Sequence, residues 1–167
     1  YAEAHTNLGN DPLSLENLMY KYGTDKSKDD HKYSDLYAML FDPIRGKVRN
    51  VLEVGVSTGK SLKVWHDYFP DAAIYGIDWF ETRDEGMARA ELDSFKRVQI
   101  FKANSQQAEA VDTLGLTPNG MDIVIDDGDH TFVGQERTLH VMWPYVRPSG
   151  YYIIEDVEWD RGGDPKL

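Results

Sequence analysis

The spacing of apolar positions along the chain changes once, near residue 51. Before it, Leu15, Leu18, Met19 and Tyr22 recur at helical intervals behind Ser14, a capping residue, and Gly23 supplies a stop. The polar run GTDKSKDDHKY then reads as a loop. Ser34 follows as the expected cap of a second helix, with a stripe of Leu36, Tyr37, Leu40, Phe41 and Ile44 and an end near Gly46. Residues 1–13 have no period and contain Gly9 and Pro12, so an arm is expected there.

From Val51 onward, strand and helix patterns alternate. VLEVGV, AIYGIDW, VQIFKA, MDIVIDD and GYYIIEDV read as strands, and helices are expected at SLKVWHDYF, 84–95, 106–114 before Gly115, and 133–146. VLEVGV and DIVID are nearly continuous in apolar residues, as in strands of a parallel sheet covered on both faces. The predicted fold class is α/β: a doubly wound, mostly parallel, Rossmann-like sheet preceded by two helices. The length of 167 residues suits one domain, divided into arm 1–13, helical cap 14–50, core 51–157 and tail 158–167. Ligands of such sheets sit beyond the strand C-termini, where strand order reverses. That directs attention to Glu53–Gly59, Asp78, Asn104 and Ser105, Asp126–His130, and Glu155 with Asp156.

Composition narrows the function. A chain that is 41% hydrophobic and 12% aromatic is not a disordered one, and no apolar run approaches the ~18–20 residues of a bilayer span. Eighteen basic against 29 acidic residues give a net charge of −11, which repels nucleic acid and anionic membranes and favours cations or neutral small molecules. The absence of cysteine excludes disulfides, thiolate zinc sites and a cysteine nucleophile. The chain begins at Tyr1 without a signal-like segment, so a processed product or fragment and a cytoplasmic location are expected; homo-oligomerisation stays open.

EVGVSTGKS ends like a phosphate loop, but that loop needs four residues between its glycines and Gly55 and Gly59 enclose three. A dinucleotide fingerprint is also missing, because position 57 is Ser57. What remains is Glu53 in the strand, Gly55 and Gly59 at a tight turn, and Asp78 ending the next strand, where an acid can grip both hydroxyls of a ribose. The structural alternative is that the two glycines only serve a strand-to-helix turn. Further on, Asp126, Asp127, Asp129 and His130 fall within five residues, and Glu155 and Asp156 end the following strand. Carboxylates so close repel, and a divalent cation offsets the repulsion; oxygen ligands favour Mg2+, Mn2+ or Ca2+ over zinc. Helix capping or plain solvation is the alternative. Histidine, with an ordinary pKa of ~6.5, is suited to take a proton from a hydroxyl.

With these segments in view, the chain resembles the class I S-adenosylmethionine-dependent methyltransferases, through VLEVGVSTGKS and YGIDW. More narrowly it is similar to the metal-dependent O-methyltransferases of macrolide sugars, of the mycinamicin and demethylmacrocin type. KYGTDKSKDDHKYSDLY, LEVGVSTGKSLKVWHDYFPDAAIYGID, DIVIDDGDHTFVGQ and GYYIIEDV carry that resemblance, roughly from residue 20 to 157. It implies a methyltransferase that uses S-adenosylmethionine and Mg2+ (or Mn2+) to modify a hydroxyl of a small molecule, a sugar or glycoside. It further implies that Glu53, Gly55 and Asp78 hold the donor, that Tyr22, Thr24 and Asp25 close over it, and that Asn104 and Ser105 lie near the adenine. Gly59 and Asp126 are counted with the donor site, and Trp79, directly after Asp78, is the aromatic expected to contact it. Asp127, Glu155 and Asp156 are implied as metal ligands and His130 as general base, with Asp127 shared between metal and catalysis. Asp129 stands where that family commonly has serine.

His66 and His140 fall inside helices and read as packing or surface residues, while His31, beside KYGTDK, can face the cleft. Trp65, Phe132, Trp143 and Tyr145 read as core or flank packing. Five strands are counted where the full fold of this class has seven, so the last strands are expected to be lacking. A non-catalytic donor-binding module without an acceptor wall, and a nicotinamide enzyme, are the alternatives.

Overall fold

The first helix forms where the apolar spacing calls for it: α1, Leu15–Tyr22, starts at Ser14, whose hydroxyl accepts the Asn17 N–H at 3.4 Å. Gly23 ends it at φ +66°, returning its N–H to the Met19 and Tyr20 carbonyls. The computed structural model describes residues 11–157; most of the expected arm and the whole of the expected tail, 158–167, lie outside the described residues. The second helix, α2, is Tyr33–Phe41, and it corrects the expected cap. Lys32, at φ +62°, occupies the cap position, while Ser34 is buried within the first turn. Ile44 and Gly46 lie beyond the helix, in and beside a short 3-10 turn at Arg45–Lys47.

The alternation after residue 50 is observed as β1 Asn50–Val54, α3 Lys60–Tyr68, β2 Ala73–Asp78, α4 Glu85–Leu92 and β3 Val98–Lys102. It continues with α5 Ala108–Asp112, β4 Met121–Asp126, α6 Phe132–Met142 and β5 Val146–Ile154. The five strands are all parallel in the order β3-β2-β1-β4-β5, the doubly wound arrangement expected. The helix expected to reach 146 stops at Met142 and passes into a 3-10 turn at Trp143–Tyr145, which contains Pro144. β5 starts earlier than expected, because Val146 already pairs with Met121; the register then shifts, and Tyr151–Ile154 run regularly beside Ile123–Asp126.

Alternation along β1 divides the core. Val51 faces the layer of α1–α4, where Tyr37, Phe41, Trp65 and Phe69 pack ring against ring. Leu52 and Val54 face Val111 of α5 and Met142 of α6. Glu53 shares the Val51 face, so its side chain enters the aromatic layer. Strand order reverses between β1 and β4, and there the loops after the two strands separate to opposite faces and open a crevice. Among the described residues, no helix is long and apolar enough to cross a membrane.

Candidate active site

An open cleft of about 590 Å³ lies at this switch point, lined from the ends of β1, β2, β3, β4 and β5. Asp78, ending β2, forms one wall. Its Oδ2 accepts the N–H groups of Val56 and Ser57, both at 2.9 Å, and its Oδ1 accepts that of Phe80 at 2.6 Å. Asp78 therefore shapes the glycine loop while lining the cleft. A carboxylate has about four acceptor sites, so capacity for a ligand hydroxyl remains. Trp79, 47% exposed, and Asn104 and Ser105 complete this end. The loop glycine is demanded by the protein itself: Gly55 has φ +92°, and a Cβ there would lie 2.0 Å from the Asp127 carbonyl oxygen. Gly59, at φ +80°, packs under Leu92 in the same way.

The opposite end is acidic. One ligand atom each from Asp127, His130 and Asp156 lie within 4.8 Å of one another. Two carboxylates and an imidazole at this spacing suit a hard or borderline divalent cation such as Mg2+ or Mn2+. The β4 loop that carries them is pinned: the Asp127 N–H donates to Val54 O at 2.9 Å, and Asp129 accepts from Thr131 N–H and from the Gln106 amide, both at 2.9 Å. Asp129, standing in for serine, thus ties the loop to the turn after β3. Asp156 is held at φ +48° by Tyr33, whose hydroxyl donates to Oδ1 at 2.8 Å and accepts the Asp156 N–H at 3.0 Å. Over the whole lining, six carboxylates face one arginine, Arg83, so the cleft attracts cations and disfavours polyphosphates.

Glu155 goes elsewhere. Its Oε2 accepts from the Lys26 ammonium at 2.5 Å and its Oε1 from the Tyr37 hydroxyl, both buried. Lys26 also reaches Asp127 at 2.6 Å and lies 3.8 Å from Glu53. Burial pulls the Lys26 ammonium down, but the three carboxylates outweigh it and hold the pKa above its ordinary value. Burial raises Glu155, against Lys26, and pushes Glu53 up to about 8, with Asp127 and Glu155 adding to the rise. Asp126, also buried, is raised to about 6, partly offset by the Tyr152 hydroxyl that bonds it.

The expected residues therefore divide. Asp25, Gly55, Asp78, Trp79, Asn104, Ser105, Asp127, His130 and Asp156 share the cleft. Glu53 does not reach it: it is fully buried, accepting Trp65 Nε1–H at 2.7 Å, because strand alternation aims it into the helix layer. Tyr22 is turned to α3, where its hydroxyl donates to Asp67, and the Thr24 hydroxyl donates to Asp25 and accepts the Lys26 N–H. Gly59 and Asp126 sit behind the lining. Lys60, the lysine of the Gly-Lys-Ser run, donates to the Gly23 carbonyl at 3.0 Å and is not among the residues lining the cleft. His31 Nδ1 lies 3.2 Å from Asp156, at the edge of the acidic end. Trp65 and Tyr145 are buried as expected, but Phe132 and Trp143 are 79% and 60% exposed. Lys26 and Tyr33 are not singled out by the sequence, and Tyr37 stands there only as part of the apolar stripe of the second helix; the i, i+4 spacing of the two tyrosines on α2 was the available signal.

Residues 52–157 match a family profile described as a methyltransferase domain. The chain is 31% identical to 8-demethyl-8-(2-methoxy-alpha-L-rhamnosyl)-tetracenomycin-C 3'-O-methyltransferase of Streptomyces olivaceus, over 87% of this chain and 37% of that protein. It is also 31% identical to mycinamicin VI 2''-O-methyltransferase of Micromonospora griseorubida, over 86% of this chain and 36% of that protein. Among solved structures, the MycE methyltransferase from the mycinamycin biosynthetic pathway in complex with Mg and SAH superposes with a TM-score of 0.73 at 30% identity, over 86% of this chain and 37% of that one. A fibrillarin of Aeropyrum pernix in complex with S-adenosyl-L-methionine, at 18% identity and TM-score 0.57 over 71% of this chain and 51% of that one, shares the fold alone. The chain spans under two fifths of the length of the two curated relatives.

Proposed function

This chain belongs to the methyltransferase-domain family, and on that premise we propose that its cleft binds S-adenosylmethionine and transfers a methyl group to a hydroxyl of a small glycoside, with Mg2+ or Mn2+ at the acidic end. The observation that carries this reading is the pairing, across one cleft, of Asp78 with the Asp127–His130–Asp156 group. A nucleoside diol and a proton-accepting centre are thereby served from two ends of a single space. The excess of carboxylates agrees with a donor that carries a sulfonium charge. The sugar hydroxyl as acceptor rests on the names of the relatives, which act on rhamnosyl and mycinamicin substrates.

In this reading Asp78 holds the ribose hydroxyls while keeping the glycine loop in shape, and Trp79, Asn104 and Ser105 flank the nucleoside. Asp127 and Asp156 would hold the divalent ion. When bound, S-adenosylmethionine supplies an electrophilic methyl group and the ion supplies positive charge beside an oxygen nucleophile. His130 accepts the proton of the acceptor hydroxyl at a ring nitrogen, on a loop fixed by Asp129 and Thr131. Much of the acceleration comes from aligning oxygen, methyl and sulfur in a preformed cleft. The test supplies donor, Mg2+ and a panel of rhamnosides and other glycosides to the chain and measures S-adenosylhomocysteine. Acceptor-dependent product supports transfer. Donor binding without product leaves a non-catalytic binding module.

A further inference from the structure

Between the strand ends and the helical cap lies a lysine that neither donor binding nor proton transfer employs. Lys26 is 2% exposed, and its ammonium meets carboxylates from three strand ends: Asp127 after β4 at 2.6 Å, Glu155 after β5 at 2.5 Å, and Glu53 of β1 at 3.8 Å. It thus stands, from the protein's inner side, at the point where Asp127 and Glu155 converge. Both Glu155 oxygens are engaged inside the protein, one by Lys26 and the other by Tyr37, and the side chain is buried away from the cleft. Asp127 is shared, lying on Lys26 within and beside His130 and Asp156 at the cleft.

We propose that the Lys26 ammonium is the resident counter-cation of Asp127 and Glu155 and competes with a divalent ion for these two carboxylates, an inference that rests on reading the cleft as a metal-assisted methyl-transfer site. While Lys26 stays in place, an entering ion finds Asp127 and Asp156, with His130 beside them. Glu155 becomes available only when Lys26 withdraws. Because the ammonium and the ion carry the same sign, each disfavours the other at a shared carboxylate. Lys26 belongs to the loop between α1 and α2, whose Asp25 lines the cleft, so ion entry and the setting of that loop are linked. A lysine that only pinned the cap would have a different signature, because its loss would loosen Asp127 and weaken ion binding.

The test is Mn2+ binding, followed by the electron paramagnetic resonance signal of the free ion, in wild type, Lys26→Met and Lys26→Arg. Competition predicts roughly tenfold or tighter binding in Lys26→Met, since a positive charge beside the ion is removed, and near wild-type binding in Lys26→Arg. Equal or weaker binding in a folded Lys26→Met overturns the proposal and leaves the metal reading intact. No bound Mn2+ in wild type overturns the metal reading itself, and the proposal with it. Lys26→Met leaves buried carboxylates without a cation and can fail to fold, so the wild type provides the second measurement. The 1H–15N signal of the solvent-sheltered Lys26 ammonium should shift or broaden as Mg2+ saturates the site. A signal unchanged at saturation overturns the proposal.

Discussion

His130 sits on a loop held at both sides, by the Asp127 N–H on Val54 and by Asp129 on Thr131 and Gln106, so a substitution there should act on chemistry more than on shape. His130→Ala is expected to lower turnover by about 10² to 10⁴ with donor affinity near wild type, measured by steady-state rates beside donor titration. Undiminished turnover would restrict the loop to a structural role. Asp78 in YGIDW, Asp127 and His130 in IDDGDH and Asp156 in IIEDV were legible because they stand in short segments at or just after strand ends, whereas Glu81, Arg83 and Gln106 of the lining were not. Lys26 was not legible. A lysine in GTDKSK has the composition of a solvated loop, and the carboxylates that bury it lie 101 and 129 residues away along the chain. Glu53 was legible as an acid in a strand, yet its direction follows from its sharing the Val51 face, which turns it onto Trp65.

At the scale of elements, the cap is fastened to the core by α1 on α3. Asp67 of α3 accepts from Lys21 and from the Tyr22 hydroxyl of α1. Burial works to raise the Asp67 carboxyl, but the bonds from Lys21, Tyr22 and His66 outweigh it and hold the pKa at about 2, below the ordinary 3.8. A carboxylate depressed in the folded state contributes stability above its unfolded pKa and loses it as pH falls through the folded one. The wild type should therefore lose stability between pH about 4 and about 2 along this step, and Asp67→Asn should show a flatter thermal-melting profile there; parallel profiles would remove Asp67 from the acid response. Ser14→Ala should cost about 0.5–1 kcal/mol in urea unfolding, since it deletes one long cap bond at α1. Element type and order were readable from periodicity alone. The ends were less so, because Lys32 adopts a left-handed cap and Ser34 packs inward, choices made by tertiary burial and not by capping preference.

For the molecule as a whole, the parallel doubly wound sheet follows from β and α alternation, whereas the order β3-β2-β1-β4-β5, which puts the cleft at the β1/β4 switch, is supplied by the structure. Part of the acidic net charge visible in composition lies in that cleft, six carboxylates to one arginine. If a divalent ion serves the acidic end, chelator should stop methyl transfer while circular dichroism stays unchanged, because strands and helices are held by the two apolar layers and not by a metal. Full activity in excess chelator would eliminate the ion. The central claim, that the cleft is a donor site, is tested most directly by calorimetric titration of the chain with S-adenosylmethionine, run on wild type and Asp78→Ala. The account predicts saturable one-site binding in the wild type and a loss of about 2–3 kcal/mol, roughly 30- to 150-fold, in Asp78→Ala. Absence of binding in the wild type, or equal affinity in the two proteins, would contradict it.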